Sequence, residues 1–438
     1  MTTRRGDGPE FAELKPPLSK DEALAEANRC LYCYDAPCTR ACPTHIDVPA
    51  FIKKIASGNL RGSGKKILEA NILGFSCARV CPTEELCEGA CVLNDLHGHK
   101  PIAIGKLQRY ATDPIVLEKG GRPLFSAPDN KNGRSVGIVG AGPSGFGCAA
   151  ELCQRGYDVT IYEAADKPGG LNTYGVADYK LSQQAGLAEV EWVQQLGAKL
   201  VLNTRVGEDV SFDELAEKHD AVFVGVGLGP VPALGIPGED LDGSQDVLEF
   251  IAELKSKPKA ECSLAGKTVA VLGGGNTAID GVTQSTRLGA EKVYLVYRRG
   301  AGEMGAYEHE VELAKLDGVE FVYWAQPVEI AGNGKVQTLR CARTRVDGGK
   351  LVVDEGDTFE LAVDRVFRAT GQAKLRDFFK SAGIDVDAKG RPVADEDGKT
   401  SRDGVWTGGD CRNGGKEVVN AVAEGKTAAI AIDRALSA

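Results

Sequence analysis

Val136-Gly137-Ile138-Val139-Gly140-Ala141-Gly142-Pro143-Ser144-Gly145 is the stretch that decides the fold of this 438-residue chain. A short apolar run enters G-x-G-x-x-G, and the Ala-containing stretch Phe146 to Arg155 follows, which predicts strand, tight turn and helix. The next run, Asp158 to Tyr162, reads as a second strand and ends on Glu163. In this context Gly140 permits the turn, Gly142 lets a pyrophosphate approach the backbone, and Gly145 packs helix on strand. The helix that opens at Pro143 and Ser144 presents amide donors and a positive dipole end to phosphate. Glu163 is expected to accept the hydroxyls of an adenosine ribose, and Gly170 and Leu171, in the loop after that strand, line the same site.

Moving outward, a helix is expected from Gln183 to Leu196, with strands at Lys199 to Asn203 and Asp220 to Gly227. A second fingerprint follows at Thr268 to Ala278, where Gly273, Gly275 and Ala278 form G-x-G-x-x-A around Asn276 and Thr277. Its second strand, Lys292 to Tyr297, ends on Arg298 and Arg299 instead of an acid. An acid there would repel a 2′-phosphate, whereas arginine pairs with it, so this site favours NADPH with NADH as the alternative; the rival reading is that the two arginines are only exposed charges. Later strands, Val363 to Phe367 and Gly404 to Asp410, bring Gly371, Gly409 and Asp410 to candidate cofactor positions. The last helix, Val418 to Leu436, has no other sheet to join. The second nucleotide domain therefore reads as inserted in the first: residues 131–230 with 369–438 bind FAD, and residues 231–368 bind NAD(P)H.

Eight of the thirteen cysteines lie ahead of both fingerprints. Cys30, Cys33, Cys38 and Cys42 precede Pro43, and Cys77, Cys81, Cys87 and Cys91 form a second run. Thiolates at such short, unequal intervals suit iron–sulfur clusters, and in the ferredoxin pattern the fourth cysteine serves the other cluster. Two clusters with crossed ligands are expected. A zinc site would want repeated C-x2-C pairs, and only Cys30 and Cys33 are so spaced; a disulfide framework would need an oxidising compartment. Ser19 and Glu22 form a capping box for a helix leading to Cys30. Further helices are expected at Ile46 to Ala56 and Gly64 to Asn71, with a linker from Asp113 to Arg134. Residues 1–130 thus read as a helical cluster domain, and the whole as an α/β protein with two nested Rossmann-like domains. Cys148 and Cys153 are expected to be small buried residues.

A net charge of -10 argues against nucleic acid or an anionic membrane as partner. Met1 to Pro17 is too charged for a secretion signal, and no window is apolar enough to span a bilayer. A reducing cytoplasm is expected, where clustered cysteines bind metal.

Arg29-Cys30-Leu31-Tyr32-Cys33, Asp35-Ala36-Pro37-Cys38, Cys77-Ala78-Arg79-Val80-Cys81-Pro82-Thr83-Glu84 and Ile104-Gly105-Lys106-Leu107-Gln108-Arg109 carry a specific resemblance. With the two fingerprints, they make the chain similar from about residue 20 onward to the two-nucleotide flavoproteins that include the glutamate synthase small subunit and the NAD(P)H-oxidising part of dihydropyrimidine dehydrogenase. The resemblance implies one 4Fe-4S cluster on Cys30, Cys33, Cys38 and Cys91. It implies a second on Cys42, Cys81, Cys87 and Gln108, with Cys77 as the rival fourth ligand. It also implies that Asp410 contacts the flavin ribityl chain and that the amides at Val418 and Val419 lie near the isoalloxazine. The implied partner is an FMN-containing catalytic subunit in a hetero-oligomer that reduces uracil or thymine. A glutamine-dependent synthase subunit and a ferredoxin-linked or electron-bifurcating enzyme are the alternatives. Two departures stand out: Gly175-Val176-Ala177 and Lys180-Leu181-Ser182 replace family motifs beneath the flavin, and Gly305 replaces the proline that often follows Met304. The chemistry is coherent, because a nicotinamide gives two electrons at once and a cluster accepts one, so a flavin must stand between them.

Overall fold

The computed structural model describes residues 12–96, 98–118 and 124–437. These residues fall into two compact units. One is built from Glu13–Thr173, Gln183–Leu228 and Lys374–Ala438, the other from Tyr174–Ser182 and Gly229–Ala373.

The first unit combines the helical cysteine module with a five-stranded parallel sheet. Helix Lys20–Arg29 starts from the capping box read in the sequence: Glu22 N–H donates to Ser19 Oγ (3.3 Å), and Ser19 N–H donates to Glu22 Oε2 (2.8 Å). Asp47 caps helix Val48–Ala56, whose Val48, Phe51, Ile52 and Ile55 turn inward. Helix Leu60–Ala70 begins a turn before its expected start, because Asn59 Oδ1 accepts from Gly62 N–H (2.9 Å). The expected linker also begins late. Helix Ile104–Val116 runs through Asp113 and Pro114, held by Arg79 and Arg109, which both pair with the Asp113 carboxylate (2.8 and 3.1 Å). Linker residues 119–123 lie outside the described residues.

The sheet order is Val405–Thr407, Ala221–Val224, Ser135–Val139, Asp158–Tyr162 and Lys199–Val201, all parallel. The first strand in the chain thus lies between the second and the fourth. Strand order reverses beside it, and a ligand crevice belongs at the carboxyl ends there. Helices Pro143–Gln154 and Val418–Ser437 pack together over this sheet, burying Phe146, Cys148, Val422 and Ala428.

The second unit repeats the design with strands Ser244–Asp246, Arg365–Arg368, Thr268–Leu272, Lys292–Tyr297 and Glu320–Tyr323, again all parallel. It adds an antiparallel sheet of Ala325–Ala331, Thr338–Asp347 and Lys350–Ala362 that the sequence reading did not find. These strands alternate weakly and are broken by a register shift at Ala342/Arg343, which hides their period. Among the described residues no helix is long and apolar enough to cross a membrane.

Candidate functional site

The first fingerprint forms a bare backbone cradle. Gly140 has φ +101°, and its N–H donates to Tyr162 O (2.8 Å); a Cβ there would strike the Gly225 carbonyl. Gly142 precedes helix Pro143–Gln154 in extended conformation. The Gly169-Gly170 loop folds onto it, tied by Gly169 N–H to Ala141 O (2.7 Å), so that a Cβ on Gly170 would sit 2.9 Å from Gly142 Cα. Leu171 opens the short helix Leu171–Tyr174 and is partly exposed. Ser144 lies buried where Gly225 and Gly409 both approach its hydroxyl. Gly145 packs against the Gly140 carbonyl.

Glu163 accepts Ala141 N–H at Oε2 (2.7 Å) and Ala165 N–H at Oε1 (2.8 Å). It braces the glycine turn itself, and each oxygen keeps a lone pair for a ribose hydroxyl. Asp410 is not at a strand end as read from the sequence. The strand stops at Thr407, Gly408-Gly409 turns with φ +80° at Gly409, and Asp410 opens helix Asp410–Asn413. Burial raises its carboxyl, and Lys416 N–H donates to its Oδ1 (3.2 Å).

The second fingerprint has the same form. Gly273 has φ +152°, Gly275 caps helix Asn276–Arg287 with open space around it, Thr277 is half-buried and Ala278 is fully buried. The loop after the arginine pair is fastened to this turn. Gly305 and Ala306 N–H donate to Gly274 O (3.0 Å each), and Tyr307 N–H donates to Asn276 Oδ1 (2.9 Å). The missing proline therefore leaves the loop in place. Arg298 and Arg299 are exposed at the end of strand Lys292–Tyr297. Gly371 falls in this unit, where its φ of +103° leaves open space.

The thiols form two neighbourhoods that mix the two sequence runs. Cys30, Cys33, Cys38 and Cys91 line one pocket with Leu31 and Ile52. Cys87 lies within electrostatic reach of Cys81, Cys42 and Cys38, and Cys81 shares a thiol hydrogen bond with Cys77. Cys77 Sγ also accepts from Asn71 Nδ2 (3.1 Å). Gln108 is buried on the adjoining helix and donates from Nε2 to Gly74 O (2.7 Å). Among the described residues no three His, Cys, Asp or Glu are placed to hold a single metal ion. A cluster binds each thiolate at a separate iron, so its ligands ring a void instead of meeting at a point.

Burial pushes Cys38 up to about 11 and Cys87 well above the ordinary thiol range; the Cys77 bond together with burial does the same to Cys81. An iron cluster would take these side chains as thiolates, so its binding would release their protons. Cys148 and Cys153 are buried in the sheet-helix core, as expected. Val418 and Val419, which begin the last helix, share a core with Cys42, Cys77, Cys81 and Cys91.

Two arrangements were missed in the sequence. Lys180 lies between Asp280 (2.8 Å) and Glu310 (2.6 Å), with Tyr179 OH donating to Asp280 Oδ1 (3.0 Å). Burial opposes its charge, but the carboxylates outweigh it and hold Lys180 protonated. This fixes segment Tyr174–Ser182, the stretch that departs from the family motifs, within the second unit. The other is Glu189, a fully buried acid on helix Gln183–Gln194. Spacing could not have found either, because their partners are distant in sequence.

Residues 8–119 match the model for dihydropyrimidine dehydrogenase domain II, 4Fe-4S cluster, and residues 134–425 match that for pyridine nucleotide-disulphide oxidoreductase. The chain belongs to the pyridine nucleotide-disulphide oxidoreductase family. This oxidoreductase is an NAD(P)H-dependent FAD enzyme with a 4Fe-4S domain. It is 35% identical over 441 residues to the glutamate synthase [NADPH] small chain of Escherichia coli K12, covering 96% of this chain and 93% of that protein. It is 33% identical over 420 residues to the NAD-dependent dihydropyrimidine dehydrogenase subunit PreT of the same organism, covering 96% of each. Among solved structures, Mycobacterium tuberculosis FprA in complex with NADPH shares its fold, with a TM-score of 0.57 at 23% identity over 69% of this chain and 84% of that one.

Proposed function

We propose that this oxidoreductase takes hydride from NADPH and sends single electrons through two 4Fe-4S clusters to a separate FMN-containing catalytic subunit that reduces uracil or thymine to the 5,6-dihydro compound. The observation that carries the two-cluster reading is the mixing of the cysteine runs: Cys91 joins Cys30, Cys33 and Cys38 in one pocket, while Cys87 of the second run lies within electrostatic reach of Cys42 as well as Cys81. The proposed functional division is residues 1–130 for the clusters, 131–230 with 369–438 for FAD and 231–368 for NADPH, with segments 174–182 and 369–373 packing in the second compact unit.

The residues have distinct tasks. Gly140, Gly142, Gly145 and Gly170 keep side chains away from the FAD pyrophosphate, and Glu163 and Asp410 receive hydroxyls of the ribose and ribityl chain. Gly273 to Ala278 would hold the pyrophosphate of NADPH, and Arg298 and Arg299 would pair with its 2′-phosphate. When bound, FAD supplies the exchange between two-electron hydride and one-electron transfer. Val418 and Val419 join the flavin-side helix to the core that holds thiols of both sets. Gln108 or Cys77 completes that set; the buried amide of Gln108 supports the former, the Cys81 contact the latter.

The pyrimidine reading is supported by the end-to-end match to PreT, an NAD-dependent dihydropyrimidine dehydrogenase subunit. The equally extended match to the glutamate synthase small chain supports a second reading, delivery to a glutamine-dependent partner. A ferredoxin-linked or bifurcating role is a third outcome. The test is NADPH oxidation by the complex purified with its natural partner, offered uracil, glutamine with 2-oxoglutarate, or ferredoxin. Oxidation only with glutamine and 2-oxoglutarate would overturn the pyrimidine assignment.

A further inference from the structure

Helix Gly74–Val80 carries Cys77 and ends at Cys81, yet its own N-cap residue, Leu73, provides no side-chain cap. The cap comes from another part of the same unit. Glu189, 1% exposed on helix Gln183–Gln194, accepts Phe75 N–H (2.9 Å) and Ser76 N–H (3.1 Å) at Oε1, and the Ser76 hydroxyl at Oε2. A capping side chain normally comes from the residue at the helix start. Here the donors and their acceptor are more than a hundred residues apart, so the contact ties the cysteine helix to the sheet domain.

The surrounding groups make that tie directional. Gln108 Nε2 holds the Gly74 carbonyl (2.7 Å), Arg79 lies over the Phe75 ring and bonds the Phe75 carbonyl, and Asp113 neutralises Arg79. Cys77 follows Ser76 directly, and Cys81 N–H closes the last turn on Cys77 O (3.0 Å). The helix has only seven residues. A shift of its first turn therefore passes to Cys77 and Cys81 with little room for absorption.

We propose that Glu189 is a positioning residue for electron transfer: it sets the placement and the electrostatic environment of the thiol set Cys42, Cys81 and Cys87 from the flavin-binding domain. This rests on the two-cluster reading above. A nearby negative charge disfavours gain of an electron by a cluster, and hydrogen bonding and local geometry tune it as well. Glu189→Gln keeps an acceptor for the two amides and removes the charge, because the Ser76 hydroxyl can rotate to accept from the new amide. Glu189→Ala removes both and leaves two buried N–H groups without a partner.

The test is a redox titration of the full chain with its cofactors at pH 8.5, followed by electron paramagnetic resonance of the two cluster signals. In Glu189→Gln one signal should move to higher midpoint potential with its line shape kept. In Glu189→Ala the same signal should also change line shape. The other signal and the FAD content should match wild type in both. If both signals keep their wild-type potentials, or both move together with loss of FAD, the proposal is overturned. Where Glu189→Ala does not fold, Glu189→Gln alone decides. A wild-type chain with only one cluster signal would instead overturn the two-cluster reading, and this proposal with it.

Discussion

Replacing Glu189 by Gln should change how stability depends on pH, by an amount set by burial. Burial pushes this carboxyl up to about 7 from an ordinary 4.5, against the pull of its hydrogen bonds from Ser76 and Phe75 and of nearby Arg79. Between these values the folded chain holds more protons than the unfolded chain, so the stability Glu189 contributes is present below 4.5 and is lost as pH rises through about 7. The gap is worth about 3.4 kcal/mol, of which about 2.5 kcal/mol appears between pH 5.0 and pH 8.5. Glutamine does not titrate. Urea unfolding of both proteins, followed by flavin release, should therefore show Glu189→Gln gaining about 2.5 kcal/mol on wild type over that interval. A difference that stays constant with pH would refute the account of Glu189 as a buried acid.

Other consequences can be tested separately. Removing both Arg298 and Arg299 should lower kcat/KM for NADPH roughly 10- to 100-fold, from about 1.5 to 3 kcal/mol of lost charge-assisted bonding, with NADH little changed; equal loss for both nucleotides would refute a 2′-phosphate role. Wild type should carry about eight irons per chain and Cys81→Ser about four, as read by iron analysis, while Cys148→Ser should leave the count unchanged. Lys180→Met should destabilise the second unit by about 3 to 5 kcal/mol, because the buried carboxylates of Asp280 and Glu310 lose the ammonium that balances their charge. Thermal melting measures this, and adding Asp280→Asn should restore part of the loss.

Much of the architecture was legible because its signals are local. The run from Val136 to Gly145 contains strand, turn and helix start within one segment, and Thr268 to Ala278 repeats it. Ser19 and Glu22 specify a helix start through bonds between residues three apart. The sheet Ala325–Ala362 was not legible, since its alternation is interrupted by a bulge. Neither was the persistence of helix Ile104–Val116 through Pro114, which depends on Arg79 and Arg109 meeting at Asp113. The two cysteine runs suggested crossed clusters, but residue order alone could not place Cys91 beside Cys38 or Cys77 against Cys81.

By itself, then, the sequence determined the two nucleotide cradles and the iron–sulfur character of the cysteine module, because glycine turns and closely spaced thiols act over a few residues of chain. Only the tertiary structure decided that Lys180 fastens segment Tyr174–Ser182 between Asp280 and Glu310, and that Glu189 caps the helix leading to Cys81. Those choices depend on burying charges and satisfying amides with partners far away in the chain, and such partners exist only once the fold has brought them together.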